Sequence, residues 1–349
     1  MHLQHELVDS LESVREEWSD LAHQSRNVFA TPEWASVWWR HFGTGQQRIT
    51  ACRGDAGRLV AILPLYVSRA ARFRVLRFLG HGPGDELGPV CAPADRSAAA
   101  RTLRHLLEAR SFAWDVFLGE RLPGDIQWSL LMDAQLLREE ASPALQFTGG
   151  WEAFLASRSS NFRQQVRRKE RALARTHEVQ FRLTHDPARL QEDLGTLFAL
   201  HGARWQQSVF EGEREAFHRD FAACALKRGW LRLWFLEVDG VAVAGWYGLR
   251  FAGVDAYYQA GRDPRWDRAS VGFVLLAHSI REALEDGVQE YRFLRGAEQY
   301  KQRFANAGGG LETIARGGGP LGSAAVLLGT AASRSQLVRR AVKRPLNLY

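Results

Sequence analysis

The chain has 349 residues, of which 46% are hydrophobic and 24% charged, a composition typical of a soluble globular protein with room for two domains. Its three cysteines are far apart, so they predict neither a disulfide framework nor a metal cluster and favour a reducing, cytoplasmic compartment. The N-terminus lacks a signal-peptide pattern and no window approaches about 18 apolar residues, so we predict no membrane-spanning segment.

The formal net charge of +7 is concentrated at the C-terminal end. After Glu312 the chain contains no acid, but it contains six basic residues: Arg316, Arg334, Arg339, Arg340, Lys343 and Arg344. The remaining chain is nearly neutral. This disfavours a dedicated nucleic-acid-binding protein, which would carry its charge on the folded surface.

The first half of the sequence predicts two helices followed by a β-hairpin. Residues 11–22 have a helical pattern, and a second helix begins where a threonine cap precedes proline, at Thr31. Trp34 and Trp38 lie on one face of that helix. Residues 49–67 read as strand, glycine turn and strand. Residues 95–120 then predict a helix, a break and an aromatic strand.

The second half repeats this order. Residues 190–206 and 213–227 predict helices, and residues 233–251 predict a hairpin whose Gly240, Val243 and Ala244 follow Gly57, Val60 and Ala61 at a constant offset of 183. Next come a strand at 254–260, a helix at 271–286, a strand at 288–294, a short helix with Tyr300 and a strand at 311–315. We interpret the repeat as a tandem duplication joined near residues 143–150. A hairpin that feeds a β-α-β crossover implies a mixed sheet with helices on both faces.

The predicted domains are residues 1–147, residues 148–318 and a basic tail at 319–349. The tail joins a short apolar stretch to a basic one. As a helix it would lie on an anionic membrane surface, a peripheral contact that suits the inner membrane face. The glycines at 317–319 are equally compatible with a disordered tail.

Several segments carry a resemblance to a known family: VFATPEWASVWW, RLVAILPLYV, FLGHGPGDELGPV, SNFRQQVRRKERAL, DGVAVAGWYG and EYRFLRGAEQYKQRF. Their order resembles the GNAT-type N-acyltransferases. It resembles most closely the tandem, CelD-like (cellulose-biosynthesis) acetyltransferases, which are related to the FemAB peptidyltransferases. The resemblance covers about residues 10–315. It implies an α/β (α+β, mixed-sheet) fold of two tandem GNAT-like domains, each with helices on both faces of a mixed, mostly antiparallel sheet.

The resemblance also implies acetyl-CoA, or another acyl-CoA, as the co-substrate, and no metal; no metal motif is found in the sequence. Helix N-termini with nearby guanidinium groups suit a pyrophosphate. The candidate cofactor-binding residues are therefore Arg262, Arg265, Arg268, Ser270, Val271 and Gly272. An ordinary polar connection with surface arginines is the alternative. The GNAT acyl-CoA loop R/Q-x-x-G-x-G/A is incomplete in RWDRASVG, so the identity of the acyl carrier stays open.

Transfer of an acyl group from a thioester to an amine needs a neutral amine, a stabilised oxyanion and a protonated leaving thiolate. The resemblance places the thiolate's proton donor at Tyr300 and a charge-neutralising lysine at Lys301. Glu298 is a candidate base, although two residues along a helix would put it about 200° away from Tyr300. Glu237 and Asp255 are further candidate bases. Tyr257 and Tyr258 should face opposite sides of their strand, one in the core and one on the acyl channel.

The resemblance implies that Asp85, Arg204 and Trp205 lie on the acceptor side. Alternatively, Asp85 is an ordinary acid in a turn and Trp205 packs in the core. Phe162, Val166, Lys169 and Leu173 form one stripe of a basic helix whose arginines are either solvated or bound to a phosphate-bearing acceptor.

We therefore predict a cytoplasmic N-acyltransferase that uses a small-molecule or sugar-linked amine acceptor. The resemblance points to an amino-sugar or a cell-envelope or exopolysaccharide precursor. The N-terminal copy ends in FLGERLP, without the Tyr-Lys pair, and is predicted to have lost the chemistry and to shape the acceptor side. The alternatives are a FemAB-like enzyme that takes an aminoacyl group from tRNA and a non-catalytic scaffold on a degenerate GNAT fold.

Overall fold

The computed structural model describes residues 3–203 and 208–334. These residues form two compact units. The first unit contains residues 3–141 together with residues 309–334, and the second contains residues 142–308.

The first half of the chain alternates helices and strands. Its elements are β1 (Gln4–Leu7), α1 (Arg15–Ser25), α2 (Pro32–Phe42), β2 (Gln46–Arg53), β3 (Leu59–Ala70), β4 (Phe73–Phe78), β5 (Val90–Cys91), α3 (Arg96–Glu108), β6 (Val116–Pro123), α4 (Trp128–Leu131) and β7 (Gln135–Gln146).

The second half repeats the pattern and adds a C-terminal strand and helix. Its elements are α5 (Trp151–Ala156), α6 (Ser160–Ala174), β8 (Val179–Leu183), α7 (Leu190–Gly202), α8 (Glu213–Lys227), β9 (Leu231–Val238), β10 (Val241–Phe251), β11 (Val254–Arg262), α9 (Val271–Glu285), β12 (Glu290–Arg292), α10 (Gln299–Phe304), β13 (Ala307–Gly317) and α11 (Pro320–Arg334).

The two units have sheets of the same design. The first sheet has the order β1-β2-β3-β4-β6-β13, and the second has the order β8-β9-β10-β11-β12-β7. In each sheet one central pair is parallel, β4 with β6 and β11 with β12, and the other neighbours are antiparallel. The predicted mixed, mostly antiparallel α/β fold is confirmed.

Each sheet takes its last strand from the other half of the chain. Residues Ala144–Gln146 of β7 pair with Glu290–Arg292 in the second sheet, and Leu311–Gly317 of β13 pair with β6 in the first. This changes the predicted domain bounds. Residues 309–318 belong to the first unit because β13 completes its sheet, and the division near the join falls at residue 141 within β7.

The hairpins and the α2 helix form as predicted, because their signals are local. Thr31 Oγ1 accepts from the Trp34 amide, and Trp34 and Trp38 are fully buried in the first unit. The strand after the crossover is shorter than the expected 288–294, since only three residues pair. The tail begins as helix α11, and its residues 335–349 lie outside the described part. Among the described residues, no helix combines the length and the hydropathy needed to cross a membrane.

Candidate active site

The parallel strands β11 and β12 separate shortly after they meet. They pair only through Val254, Asp255 and Ala256 on β11. From there β11 continues to Arg262, whereas the chain leaves β12 after Arg292 with left-handed backbone at Leu294 (φ 56°) and Gly296 (φ 116°). One edge of β11 beyond Ala256 therefore pairs with no strand of the described chain. Unpaired strand edges present backbone N–H and C=O groups to a ligand.

A β-bulge lies at this point of β11. In the pairing with β10, Tyr247 lies opposite Gln259 and Gly248 opposite Tyr257, so Tyr258 is the extra residue. The Tyr257 ring stacks on Trp246 at 5.9 Å, on one face of the sheet. The Tyr258 ring lies 5.5 Å from that of Tyr247, on the other face. The two tyrosines face opposite sides, as the alternation predicts, but both are half-buried and neither is a fully buried core residue.

Tyr300 lies beside the separating edge. It is the second residue of α10, is half-buried, and its ring centroid is 6.4 Å from that of Tyr257 with the planes at 64°. Tyr257 is the first β11 residue beyond the pairing with β12. The phenol predicted to protonate a leaving thiolate is thus placed next to the free strand edge.

Lys301 and Glu298 form an ion pair that closes the turn between β12 and α10. Lys301 is buried, and its Nζ lies 2.9 Å from Glu298 Oε2 and donates to the Arg295 carbonyl at 2.6 Å. Glu298 precedes the helix, and its carbonyl accepts from the Lys301 amide. These two residues therefore neutralise each other. The geometry favours a positioning role for them over the predicted roles of base and oxyanion partner.

Gly296 makes this turn possible. A Cβ atom there would stand 2.2 Å from Glu298 Oε2 and 2.9 Å from Lys301 Nζ, and the φ of 116° is itself unfavourable for other residues. The glycine lets the ion pair pack directly against the backbone.

Two of the three arginines of the predicted donor loop are already paired. Arg262 Nε lies 2.7 Å from Asp267 Oδ1, and Arg265 lies 2.6 Å from Asp263 Oδ2 with its own side chain largely exposed. Arg268 is exposed, and within the described chain its side chain has no ion pair or hydrogen bond. Its carbonyl accepts from Lys169 Nζ at 3.0 Å. The loop thus keeps one unpaired guanidinium.

The helix after this loop starts without a side-chain cap. Ser270 is left-handed (φ 61°) and its hydroxyl makes no capping bond. The amides of Val271 and Gly272 have no acceptor among the described residues, because the first intrahelical bonds begin at Phe273. Such amides at the start of a 15-residue helix favour an anion. This is the observation that best fits the predicted pyrophosphate site.

The other predicted carboxylates are all paired. Asp255 is fully buried and bound by Arg250 at 2.6 and 2.9 Å, and burial raises its pKa although Arg250 and Arg232 lower it. Glu237 lies 2.7 Å from Arg182. Neither is placed as an unpaired general base.

Asp85 holds a loop of the first unit. It is buried, 3.3 Å from an Arg121 nitrogen that also donates to the carbonyls of Gly82 and Gly84. The predicted acceptor-side residues Arg204 and Trp205 lie outside the described residues. Across residues 3–203 and 208–334, no group of three or more His, Cys, Asp or Glu residues could hold a metal ion.

The basic helix α6 is oriented as its pattern predicts. Phe162, Val166 and Leu173 are buried, and Lys169 on the same stripe is half-buried. The opposite side exposes four arginines: Arg167, Arg168, Arg171 and Arg175.

Sequence reasoning missed three contributors to the site. Trp246 and Tyr291 stack at 5.7 Å beneath Tyr257, and Gly296 shapes the turn. The aromatic residues look like ordinary core on a strand. Gly296 had a visible signal, the Arg-Gly that ends the apolar run, but nothing in the sequence indicates which side chains pack on it.

Comparison with known proteins supports the resemblance inferred from the sequence. Residues 160–302 match the family model described as an acetyltransferase (GNAT) domain. No curated protein matches the chain. Among solved structures, FemX aligns with a TM-score of 0.65 at 10% identity, over 94% of this chain and 100% of that chain.

Two further structures share the fold. L-PGS from Bacillus licheniformis aligns with a TM-score of 0.53 at 11% identity, over 93% of this chain and 96% of that one. A tandem GNAT protein from the clavulanic acid biosynthesis pathway aligns with a TM-score of 0.51 at 14% identity, over 91% of this chain and 99% of that one. At these identities the likeness establishes the fold alone.

The chain therefore has the GNAT-type acyltransferase fold, with a recognisable acetyltransferase (GNAT) domain at residues 160–302. The match to that domain supports acyl transfer as the activity. The CelD-like branch stays a prediction.

Proposed function

We propose that the second unit transfers an acyl group, an acetyl group in the simplest case, from an acyl-CoA to an amine. The observation that carries this proposal is the position of Tyr300 beside the unpaired edge of β11. Acyl-CoA is the donor that GNAT-type folds generally use, and its extended pantetheine arm has two amide groups. Those groups can pair with the edge of β11 beyond Ala256, where no strand of the described chain pairs, as an added strand would.

The start of α9 supports a phosphate-binding role. The free amides of Val271 and Gly272, with Arg268 nearby in sequence, suit the pyrophosphate of the carrier. In this proposal Arg262 and Arg265 keep their aspartate partners. Their role is to shape the loop, and the amides bind the anion.

The chemistry follows from this placement. The amine nitrogen attacks the thioester carbonyl, a C–N bond forms, and the C–S bond breaks as the tetrahedral intermediate collapses. Tyr300 gives its phenolic proton to the departing thiolate sulfur. The amine nitrogen, neutral before attack, loses one proton, which solvent relays to the Tyr300 phenolate, so the products are the amide and the free CoA thiol and the phenol is restored. The Glu298–Lys301 pair holds α10 and so fixes the position of Tyr300.

Removal of the Tyr300 hydroxyl tests this mechanism. We expect Tyr300→Phe to lower kcat by about 10²–10⁴-fold, the usual contribution of a positioned acid, with donor affinity nearly unchanged. Steady-state kinetics with calorimetric titration of the donor measure both quantities. Loss of donor binding together with kcat would instead make Tyr300 a structural residue.

The identity of the donor is tested by ligand-induced stabilisation. A ligand at 100 times its Kd adds about 2.7 kcal/mol to the folded state, which raises the Tm by a few degrees. Acetyl-CoA and free CoA should both raise the Tm. The variant Gly272→Pro, which removes one of the two free amides in the first helical turn and leaves the buried Val271 side chain in place, should weaken the shift. No shift with either CoA species would favour the scaffold alternative.

The exposed arginines on and just after α6 favour a second candidate function. In this alternative the protein transfers an aminoacyl group from tRNA, as the FemAB peptidyltransferases that it resembles do. Four phosphate contacts would make the binding constant fall with salt at a slope of about −3 to −4 on logarithmic axes. Filter-binding assays with tRNA at a series of salt concentrations measure the slope of the binding constant against salt. Stabilisation by tRNA and not by CoA would replace the acyl-CoA proposal.

The acceptor is proposed as an amine on a small or sugar-linked molecule, with the family resemblance pointing to amino-sugar, cell-envelope or exopolysaccharide precursors. The first unit, whose β6 reads VFLGERLP and contains no Tyr-Lys pair, is proposed to serve acceptor recognition. A screen of amino-sugar acceptors, with thiol release as the readout, tests this once donor binding is established.

A further inference from the structure

Helix α11 packs on the first unit through one narrow face. Gly322, Val326 and Thr330, spaced four residues apart, form that face. A Cβ atom on Gly322 would stand 1.9 Å from the Asp115 carbonyl oxygen, so the helix backbone lies directly on the unit. Val326 packs against a small cluster of Val75, Leu118 and Ala315.

The opposite face of α11 is apolar and exposed. Leu321, Leu327 and Leu328 are 76%, 63% and 71% exposed, and Ala324 is exposed with them. At about 100° per residue these four lie within an arc of about 120°, centred opposite the packed face. No charged residue occurs between Arg316 and Arg334. Large side chains grouped in this way on a surface mark an interaction site.

The sequence that follows this face is positively charged. From residue 313 to the C-terminus the sequence has no acid, and Arg334, Arg339, Arg340, Lys343 and Arg344 follow the exposed leucines. At the other end of the helix, a guanidinium nitrogen of Arg110 lies 2.8 Å from where a Gly319 Cβ would stand.

The acids that lie near α11 are already paired. Asp115 lies 2.8 Å from Arg74. Glu108 lies 2.7 Å from Arg104 and 3.6 Å from Arg316. Within the part of the chain that the structure describes, each of these two acids has a basic partner.

We propose that α11 docks this protein on the surface of an anionic lipid bilayer. The leucines insert at the boundary between headgroups and acyl chains, and the basic residues that follow contact the headgroups. At 15 residues the helix is about 22 Å long, shorter than the roughly 30 Å hydrocarbon core, so it lies in the plane of the interface. A second copy of the chain would cover the leucines less well, because it would bring two like-charged segments together.

Co-sedimentation with vesicles tests the proposal on the full-length protein. We expect binding to phosphatidylcholine vesicles that contain one third phosphatidylglycerol, and at least about tenfold weaker binding to pure phosphatidylcholine. The double variant Leu327→Ser/Leu328→Ser should bind the anionic vesicles at least about tenfold more weakly. A chain that ends at Arg334 loses four basic residues, and its binding to the anionic vesicles should be weaker by at least about a hundredfold.

The matched control is Leu130→Ser/Val241→Ser. It removes two side chains of similar exposure, 71% and 62%, that are not part of α11, and it should bind like the wild type. Circular dichroism and melting confirm that each variant folds. The proposal is overturned if the wild type stays in the supernatant with anionic vesicles, if neutral vesicles bind as well, or if the leucine variant binds unchanged.

Sedimentation equilibrium provides the last check. A dimer that depends on Leu327 and Leu328, without vesicle binding, would assign the face to a second copy.

Discussion

At the scale of single residues, the turn between β12 and α10 determines the chemistry that the site can perform. Tyr300 could be singled out from the sequence because its place after a crossover strand matches the family pattern. The ion pair between Lys301 and Glu298 could not be predicted from the sequence. By helical spacing Glu298 would point away from Tyr300, but Glu298 lies before the helix. The left-handed backbone at Leu294 and Gly296 shapes the turn in which its carboxylate meets Lys301 Nζ. Backbone angles of this kind depend on tertiary packing, which no local pattern reports.

Substitution of Gly296 tests the importance of this turn. We expect Gly296→Ala to lower the free energy of unfolding by about 1–3 kcal/mol and to lower kcat, because the new Cβ strains the backbone and displaces the Glu298–Lys301 pair. Chemical unfolding and steady-state kinetics measure the two effects.

Gly287→Ala is the control for backbone strain. Gly287 also has a left-handed φ, 78°, but a Cβ there would meet no atom within 4 Å. The Gly287→Ala substitution should lower the free energy of unfolding by about 1 kcal/mol and leave kcat unchanged. Equal kinetic loss in both variants would show that the ion pair has no special role.

At the scale of elements, local signals succeeded where an element folds on its own contacts. The hairpins β2–β3 and β9–β10 and the cap of α2 lie as expected, since turn glycines and a Thr-Pro cap act over a few residues. The shortness of β12 was not foreseen. Its apolar run continues to Leu294, but pairing stops at Arg292 because the chain turns toward α10. The separation of β11 from β12, which defines the candidate site, follows from this non-local event.

Helix α8 contributes a buried histidine that makes stability depend on pH. His218 is fully buried between Tyr247 and Tyr258, and within the described chain its Nδ1 has no hydrogen-bond partner. Burial, with a smaller effect of Arg214, lowers its pKa to about 3. The unfolded chain binds this proton near pH 6.5, so acidification below that value favours unfolding.

We expect His218→Phe to flatten this pH dependence. Between pH 7 and pH 5 the wild type should lose about 2 kcal/mol of stability through His218, a loss that the variant lacks. Urea unfolding at several pH values measures it. The exposed His185→Phe is the control and should keep the wild-type slope. Identical slopes in wild type and His218→Phe would contradict the assignment.

At the scale of the whole molecule, the exchange of strands divides the chain differently from the sequence repeat. The repeat predicts two consecutive domains, and its join near residues 143–150 falls close to the division within β7. The repeat gives no sign that β13 returns to the first sheet, because strand pairing across about 190 residues leaves no local pattern.

Removal of β13 should damage the first unit although that unit lies mostly at the other end of the sequence. In a chain that ends at Gly308, Gly119 and Pro123 of β6 lose their strand partners Ile314 and Leu311, which are fully buried. Each lost side chain is worth about 1.5–3 kcal/mol, and the exposed edge of β6 promotes aggregation. We expect fast hydrogen exchange in β6 of this variant. A chain that ends at Arg334 should keep β6 protected, and continued protection without β13 would contradict the role of this strand.

The strand exchange also sets an order of events during synthesis. Residues 309–317 leave the ribosome after the entire second unit, so the first unit made is the last that can be completed. At about 5–20 residues per second, β6 waits roughly 10–40 seconds for its partner strand. During that interval the edge of β6 lacks its partner strand and can pair with another chain. A prematurely terminated chain would keep the edge exposed and become a substrate for proteolytic quality control.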